Sequence, residues 1–302
     1  MTRNRISLHG VFTPIVTSFN ADGDVAHDKI AANLDRWNRT ALRGYIVLGS
    51  NGEWVFLNEA ERLEVLKTAR AAIPSDKLMI AGTAAESTLH TIRMTEAAAK
   101  IGADAAIIVN PSYYKSQMTP AILVAYYCAV ADAAPVPIMI YNLPPATGMD
   151  LSADLLVELS AHPNIIGVKD TGGNLAKMGE VVRRADAAFQ VLSGSANFFY
   201  PSLATGVTGG ILALANIAPE ACVALHDHFL AGRIGQGRDL HLRMLPVNLA
   251  VTSRWGVSGL KAAMDMLGYD GGPPRLPLQP LDDVRRQALR VILNEAGLLS
   301  DL

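Results

Sequence analysis

The sequence carries only two cysteines, Cys128 and Cys222, in 302 residues. Both lie in apolar stretches, so a disulfide framework is not indicated and a reducing compartment fits. Charged residues make up 18 % of the chain and the formal net charge is -2, with no basic stripe. Nucleic acid is therefore not an expected partner. No stretch is long and apolar enough to span a bilayer. Met1 to Arg5 is short and basic with no apolar run behind it, which does not read as a secretory signal. The expectation is a soluble, cytoplasmic protein with no membrane partner. The seven histidines are scattered over helix-like stretches and loops, and no His, Cys or carboxylate cluster has ligand spacing. A catalytic metal is not expected.

What the chain has in abundance is apolar residues, at 50 %, arranged in short runs that alternate with helix-like stretches. The strand candidates are 11–17, 44–49, 78–82, 105–110, 136–142, 165–169, 189–195 and 209–216. Between them, helical patterns are expected over 26–39, 58–74, 87–101, 119–134, 152–160 and 174–185. Asn58 with Glu61 three residues on forms a capping-box signature. Pro14 predicts a bend or bulge in the first strand. Strands this uniformly apolar are covered on both faces. Eight strand–helix units predict an α/β fold, a TIM (β/α)8 barrel over residues 1–231, with a helical appendage over 232–302 packed on it as part of one structural unit. Lys261, in the appendage, reads as a surface or packing lysine.

In a barrel of this kind chemistry collects at the C-terminal strand ends. Those ends supply Thr17, Ser50, Asn51, Asn110, Tyr113, Tyr114, Tyr141, Asn142, Lys169, Asp170, Thr171, Ser193, Ser195 and Asn216. One lysine faces a ring of hydroxyls, amides and phenols. It closes the run Ile165-Ile166-Gly167-Val168-Lys169, a buried strand bounded by Pro163-Asn164 and Gly172-Gly173. On spacing alone such a lysine snorkels to solvent. Alternatively its amine is partly withdrawn from water, which favours the neutral form, and a neutral amine can form a Schiff base with a ketone. Gly49-x-x-Gly52 and Gly172-Gly173 are either turn glycines or cradles for a carboxylate or phosphate.

Taken together, several stretches resemble the dihydrodipicolinate synthase / N-acetylneuraminate lyase superfamily. They are Gly10-Val11-Phe12-Thr13-Pro14, Gly49-Ser50-Asn51-Gly52-Glu53, Pro111-Ser112-Tyr113-Tyr114, Tyr141-Asn142-Leu143-Pro144, Gly167-Val168-Lys169-Asp170, Ser193-Gly194 and the segment from Gly206 to Asn216. The resemblance covers essentially the whole chain and implies a class I aldolase that uses no cofactor. By that resemblance Lys169 forms the Schiff base with pyruvate or a larger 2-oxo acid, and Tyr141 is the general acid/base. Ser50 and Tyr114 match the proton relay, the tyrosine reaching in from a neighbouring subunit in many members. Ser50 and Asn51 hold the substrate carboxylate, while Gly194 and the Ile211 backbone line the site. A homotetramer, a dimer of dimers, is the implied assembly.

One departure narrows the choice. The synthase pattern has an arginine just before Thr-Gly that grips the carboxylate of the aldehyde substrate, and here that position is Ala146 in Pro145-Ala146-Thr147-Gly148. A bidentate carboxylate fork is not replaced by a methyl group without loss. Glu61-Arg62-Leu63-Glu64-Val65, Lys169-Asp170-Thr171-Gly172-Gly173 and Tyr269-Asp270-Gly271-Gly272-Pro273 look closer to 4-hydroxy-2-oxoglutarate aldolase. The leading expectation is thus cleavage of 4-hydroxy-2-oxoglutarate or a related 2-oxo acid to pyruvate and an aldehyde, with Thr171 and Asn51 contacting the far end. The alternatives are the synthase reaction of pyruvate with aspartate semialdehyde, a sugar-acid lyase or dehydratase, and a non-catalytic binding protein.

Overall fold

The structure, a computed structural model, describes residues 6–299. The basic start Met1 to Arg5 and residues 300–302 lie outside the described residues. Eight strands form a closed, all-parallel barrel in chain order. They are β1 (Gly10–Pro14), β2 (Gly44–Val47), β3 (Leu78–Gly82), β4 (Ala105–Val109), β5 (Ile138–Asn142), β6 (Ile165–Asp170), β7 (Gln190–Ser193) and β8 (Gly209–Ile211).

The alternation of strand side chains divides the core in two. Leu8, Phe12, Ile46, Ile80, Ile107, Met139, Leu192 and Ile211 fill the barrel interior. Their outward-facing neighbours Val11, Tyr45, Val47, Met79 and Ala81 pack against the surrounding helices. Each strand is therefore apolar on both faces, as parallel strands between helices and a filled interior must be.

The outer layer is α1 (His27–Asn38), α2 (Glu59–Ala72), α3 (Thr88–Ile101), α4 (Pro120–Ala133), the single turn α5 (Pro144–Thr147), α6 (Ala153–Ser160), α7 (Leu175–Arg184), the short α8 (Phe199–Leu203) and α9 (Pro219–Leu230). Side-chain caps start most of them. Asn58 and Glu61 make the reciprocal capping box that opens α2, and Ser87, Thr119, Ser152 and Asn174 each accept from a backbone N–H of the first turn. Such caps satisfy N–H groups that a helix cannot pair internally.

Two strands end earlier than their apolar runs. β1 stops at Pro14, which has no N–H to continue the ladder. β8 holds three residues, and the chain then closes into a 3-10 turn over Ala213–Asn216. The Asn216 amide donates to the carbonyls of Pro14 and Ala213 at 3.0 Å each, so it ties β1 to this turn instead of facing a substrate.

The C-terminal part comprises α10 (Ile234–Leu249), α11 (Gly256–Met266) and α12 (Asp283–Glu295). The periodicity reads 234–267 as one helical stretch. The structure instead inserts a π-helical segment, Ala250–Arg254, between α10 and α11. Leu260, Ala263, Met264, Leu289 and Leu293 are buried in the same apolar cluster as Val11, Tyr45 and Leu214. Among the described residues no helix is long and apolar enough to cross a membrane.

Candidate active site

Parallel register sets the centre of the site. A register shift between Ile138 and Met139 brings Tyr141 of β5 directly opposite Lys169 of β6. Both side chains point into the mouth of the barrel. Lys169 is 4 % exposed and Tyr141 7 %. The Lys169 Nζ lies 4.0 Å from the centroid of the Tyr141 ring. Across the mouth, the Ser50 Oγ is 3.3 Å from the Tyr141 hydroxyl. Burial alone pushes the Tyr141 phenol up, but the Lys169 charge, the Ser50 hydrogen bond and the nearby Thr171 hydroxyl outweigh it. The net direction is down from the ordinary tyrosine value. The Thr171 Oγ1 is itself buried and lacks the geometry of a full hydrogen bond to any described group.

Ser50 and Asn51 sit on a 3-10 turn, Ser50–Gly52, that follows β2. The first N–H groups of such a turn have no acceptor within it. Two non-glycine residues in left-handed conformation flank it, Leu48 at φ 64° and Glu53 at φ 53°. Backbone held in sparsely populated regions is characteristic of pre-organised ligand clamps. The Thr17 Oγ1 donates to the Gly52 carbonyl at 2.7 Å and anchors the turn to the end of β1.

These groups open onto a cavity of about 320 Å³. Lys169, Tyr141, Ser50, Asn51, Thr171, Gly194 and Ile211 all line it. Tyr114 does not. It is 65 % exposed on the loop after β4, stacked edge-on against Tyr113 at 5.1 Å.

Other members of the expected polar ring are used elsewhere. Asp170 turns away from the cavity and accepts from the Asn142 amide at 2.9 Å and from the Gly172 N–H at 2.7 Å, with the Lys177 Nζ 2.9 Å away. Together with Asp150, which also bonds Asn142 and Lys177, this network fixes the loops after β5 and β6. The Asn110 amide folds back onto the Pro111 carbonyl at 3.0 Å.

Gly194 has a steric reason to be glycine. A Cβ there would lie 2.1 Å from the Thr171 Oγ1 and 2.8 Å from the Asp170 carbonyl. Gly194→Ala is expected to displace Thr171, lower stability by about 1–3 kcal/mol as overpacking does, and raise the half-saturating substrate concentration. Thermal melts and initial-rate kinetics on the purified variant check both effects.

The distal wall comes from residues that strand-end logic does not reach. Asn197 follows β7, and Val251, Thr252 and Ser253 come from the π-helical segment. Asn248, fully buried on α10, donates to the Ser195 Oγ at 3.2 Å and to the Asn197 Oδ1 at 2.8 Å. π-Helical insertions recur at functional sites, but nothing in the local sequence separates this one from ordinary helix. Lys261 is neither on the surface nor packed among apolar groups alone: it is fully buried and ion-paired with Glu53.

The model of the dihydrodipicolinate synthetase family matches residues 7–296. The chain belongs to this family. A probable mitochondrial 4-hydroxy-2-oxoglutarate aldolase of Emericella nidulans is 37 % identical, covering 97 % of this chain and 96 % of that protein. A 4-hydroxy-tetrahydrodipicolinate synthase of Methanothrix thermoacetophila is 34 % identical, covering 97 % of each. Among solved structures, the dihydrodipicolinate synthase of Acinetobacter baumannii complexed with pyruvate superposes with a TM-score of 0.92 at 30 % identity, covering 97 % of this chain and all of that one. As a dihydrodipicolinate synthetase family member the protein is an enzyme, a lyase that works through a Schiff base. Its buried lysine, set against a phenol and a hydroxyl at the C-terminal end of a parallel barrel, has the arrangement such chemistry needs.

Proposed function

We propose that this lyase is a pyruvate-releasing aldolase that cleaves 4-hydroxy-2-oxoglutarate or a closely related 2-oxo acid. The neutral Lys169 Nζ attacks the keto carbon, and the carbinolamine takes up a proton from solvent as it loses water, leaving a protonated imine; that proton is returned when water later hydrolyses the imine. The leading N–H groups of the Ser50–Gly52 turn, with the Ser50 and Asn51 side chains, hold the adjacent carboxylate. Tyr141, its acidity raised by Lys169 and Ser50, takes the proton from the 4-hydroxyl. The bond between C3 and C4 then breaks, its electron pair flows into the imine, and the aldehyde leaves. Protonation of the resulting enamine at C3 and addition of water at the imine carbon release pyruvate and restore the amine. A protonated imine is a far better electron sink than a neutral ketone. Tyr114 completes the relay from a second copy of the chain in a homotetramer; its exposure on the loop after β4 leaves it free for that use.

The observation that carries this reading is the lining of the cavity. Lys169 is the one cationic side chain among the described residues around it, and Ala146 occupies the place where the synthase pattern has a carboxylate-gripping arginine. A site without that fork is poorly made for the carboxylate of aspartate semialdehyde; the second carboxylate of 4-hydroxy-2-oxoglutarate, carried on C4 beside the bond that breaks, is met instead by the neutral donors Thr171 and Asn51 that line the cavity. The neutral distal wall of Asn197, Thr252 and Ser253 also favours a second reading, cleavage of a longer hydroxylated sugar acid.

A panel of 2-oxo acids read by pyruvate release separates these outcomes. The expected result is highest kcat/KM with 4-hydroxy-2-oxoglutarate. Faster turnover of a six-carbon sugar acid selects the second reading. Consumption of pyruvate only when aspartate semialdehyde is present makes the protein a synthase and removes the proposal.

A further inference from the structure

Glu53 directly follows the turn that carries Ser50 and Asn51, and its left-handed backbone at φ 53° swings its side chain away from the cavity into the protein. There the carboxylate meets Lys261 of α11, Oε1 to Nζ at 2.5 Å, both side chains 1 % exposed. Its other oxygen accepts from the Arg275 N–H at 2.8 Å. The Lys261 Nζ also donates to the Pro273 carbonyl at 3.0 Å and lies 4.3 Å from the centroid of the Phe19 ring.

The segment 270–275 that supplies these partners is held on both sides. Asp265 accepts from the N–H groups of Gly271 and Gly272 at 2.9 and 3.1 Å. Asn33 of α1 exchanges two hydrogen bonds with the Asp270 backbone, each 2.9 Å. The backbone of 271 passes so close to α11 that a Cβ there would lie 2.2 Å from the Lys261 carbonyl.

A buried ion pair contributes little net stability over an apolar pair of equal volume, and its best-attested use is to fix register. This one joins the C-terminal helices to the residue that ends the carboxylate turn. The Thr17 bond restrains the turn from the β1 side, and Glu53 restrains it from the other.

We propose that the Glu53–Lys261 pair is a positioning device for substrate affinity: it sets the place of the Ser50–Gly52 turn, so the C-terminal helices control how tightly the 2-oxo acid carboxylate is held. This rests on the reading that the turn binds that carboxylate. Glu53 and Lys261 touch no reacting atom, and Lys169 stands on a different wall of the barrel. Loosening the pair therefore weakens binding first; the Ser50 contact to Tyr141 moves with the turn, but imine formation with pyruvate at saturation depends on Lys169, which the pair does not touch, and changes far less.

The test is borohydride trapping of pyruvate on Lys169 across a range of pyruvate concentrations, for the full-length protein and for Glu53→Asp, Glu53→Gln and Lys261→Met. The expected result is a rise in half-saturating pyruvate of about tenfold or more in each variant, equivalent to about 1.4 kcal/mol or more, with the saturating rate within about twofold of the parent. A lower melting temperature with unchanged half-saturation makes the pair purely structural and overturns the proposal. So does an equal fall of the saturating rate in all variants with no change in affinity. Glu53→Gln and Lys261→Met each leave one buried charge without its partner, so Glu53→Gln/Lys261→Met, in which both charges are gone, is measured in parallel; parental half-saturation in that double variant also overturns it. Failure of the parent protein itself to trap pyruvate at Lys169 removes the functional reading and the positioning role together, whereas normal trapping with unchanged variants removes only the latter.

Discussion

Lys169→Ala abolishes covalent capture of 2-oxo acids and lowers aldol cleavage by roughly 10⁴-fold or more, the scale seen when a covalent nucleophile is removed from an otherwise intact site. In the parent protein, pyruvate plus borohydride adds irreversible mass at one lysine, and peptide mapping places it at Lys169. Lys77, Lys177 and Lys261 are the informative controls. Lys77 is buried and committed to the carbonyls of Thr40 and Leu42 at 2.7 Å each. Lys177 bridges Asp150 and Asp170, and Lys261 is paired with Glu53. Each is committed to its own partners and none lines the cavity with Tyr141, so none substitutes for Lys169. Lys169→Ala is also expected to keep its fold, because the truncated side chain borders the cavity instead of the close-packed core. Retained cleavage in Lys169→Ala, with unchanged melting, would falsify Schiff-base chemistry at this residue.

The eightfold alternation was legible because each parallel strand is covered on both faces and so prints as an uninterrupted apolar run. The lysine was legible for the same reason: a charge at the end of such a run stands out. Thr171, Gly194 and Ile211, each at or just past a strand end, line the cavity. What the sequence hid depends on direction and on distance along the chain. Asn142 and Asp170 are strand-end polar residues like their neighbours Tyr141 and Lys169, but the two-residue period of a strand turns them outward, where they tie loops together. Asn216 follows an apolar run of which only the first three residues form β8, and its amide closes a turn. Lys261 looks like any helical lysine, because its partner is more than 200 positions away and only the folded chain joins them. The π-helical segment that brings Thr252 and Ser253 to the cavity has no compositional mark. Tyr114 is exposed on the loop after β4 and does not line the cavity, so one folded chain leaves its expected part in the relay without a place.

Tyr141→Phe is expected to lower kcat by about 10²- to 10⁴-fold, the usual contribution of a positioned acid/base, while changing the half-saturating substrate concentration little. The phenol meets the Ser50 hydroxyl but in this reading does not itself hold the substrate carboxylate, so the loss belongs to proton transfer. The pH dependence distinguishes this from a packing defect. Burial raises the phenol, the Lys169 charge and the Ser50 and Thr171 hydroxyls lower it, and the net shift is downward. Phenolate therefore forms below the ordinary tyrosine value of about 10. Because the anion is the base, kcat/KM of the parent should climb with pH along a limb lying below that value. Tyr141→Phe should lose this limb and keep a flat residual rate, and Ser50→Ala, which removes one of the stabilising hydrogen bonds, should move it toward higher pH. Stability follows the same sign. A folded-state pKa below the unfolded one means the unfolded chain binds more protons between the two values, so the Tyr141 contribution grows as pH rises through that window. It is fully present above the unfolded value and lost as pH falls through the folded one. The difference in unfolding free energy between parent and Tyr141→Phe should accordingly widen toward alkaline pH in denaturant titrations. A difference that is constant with pH, or an activity limb that survives the loss of the hydroxyl, would assign the base to another group in the cavity.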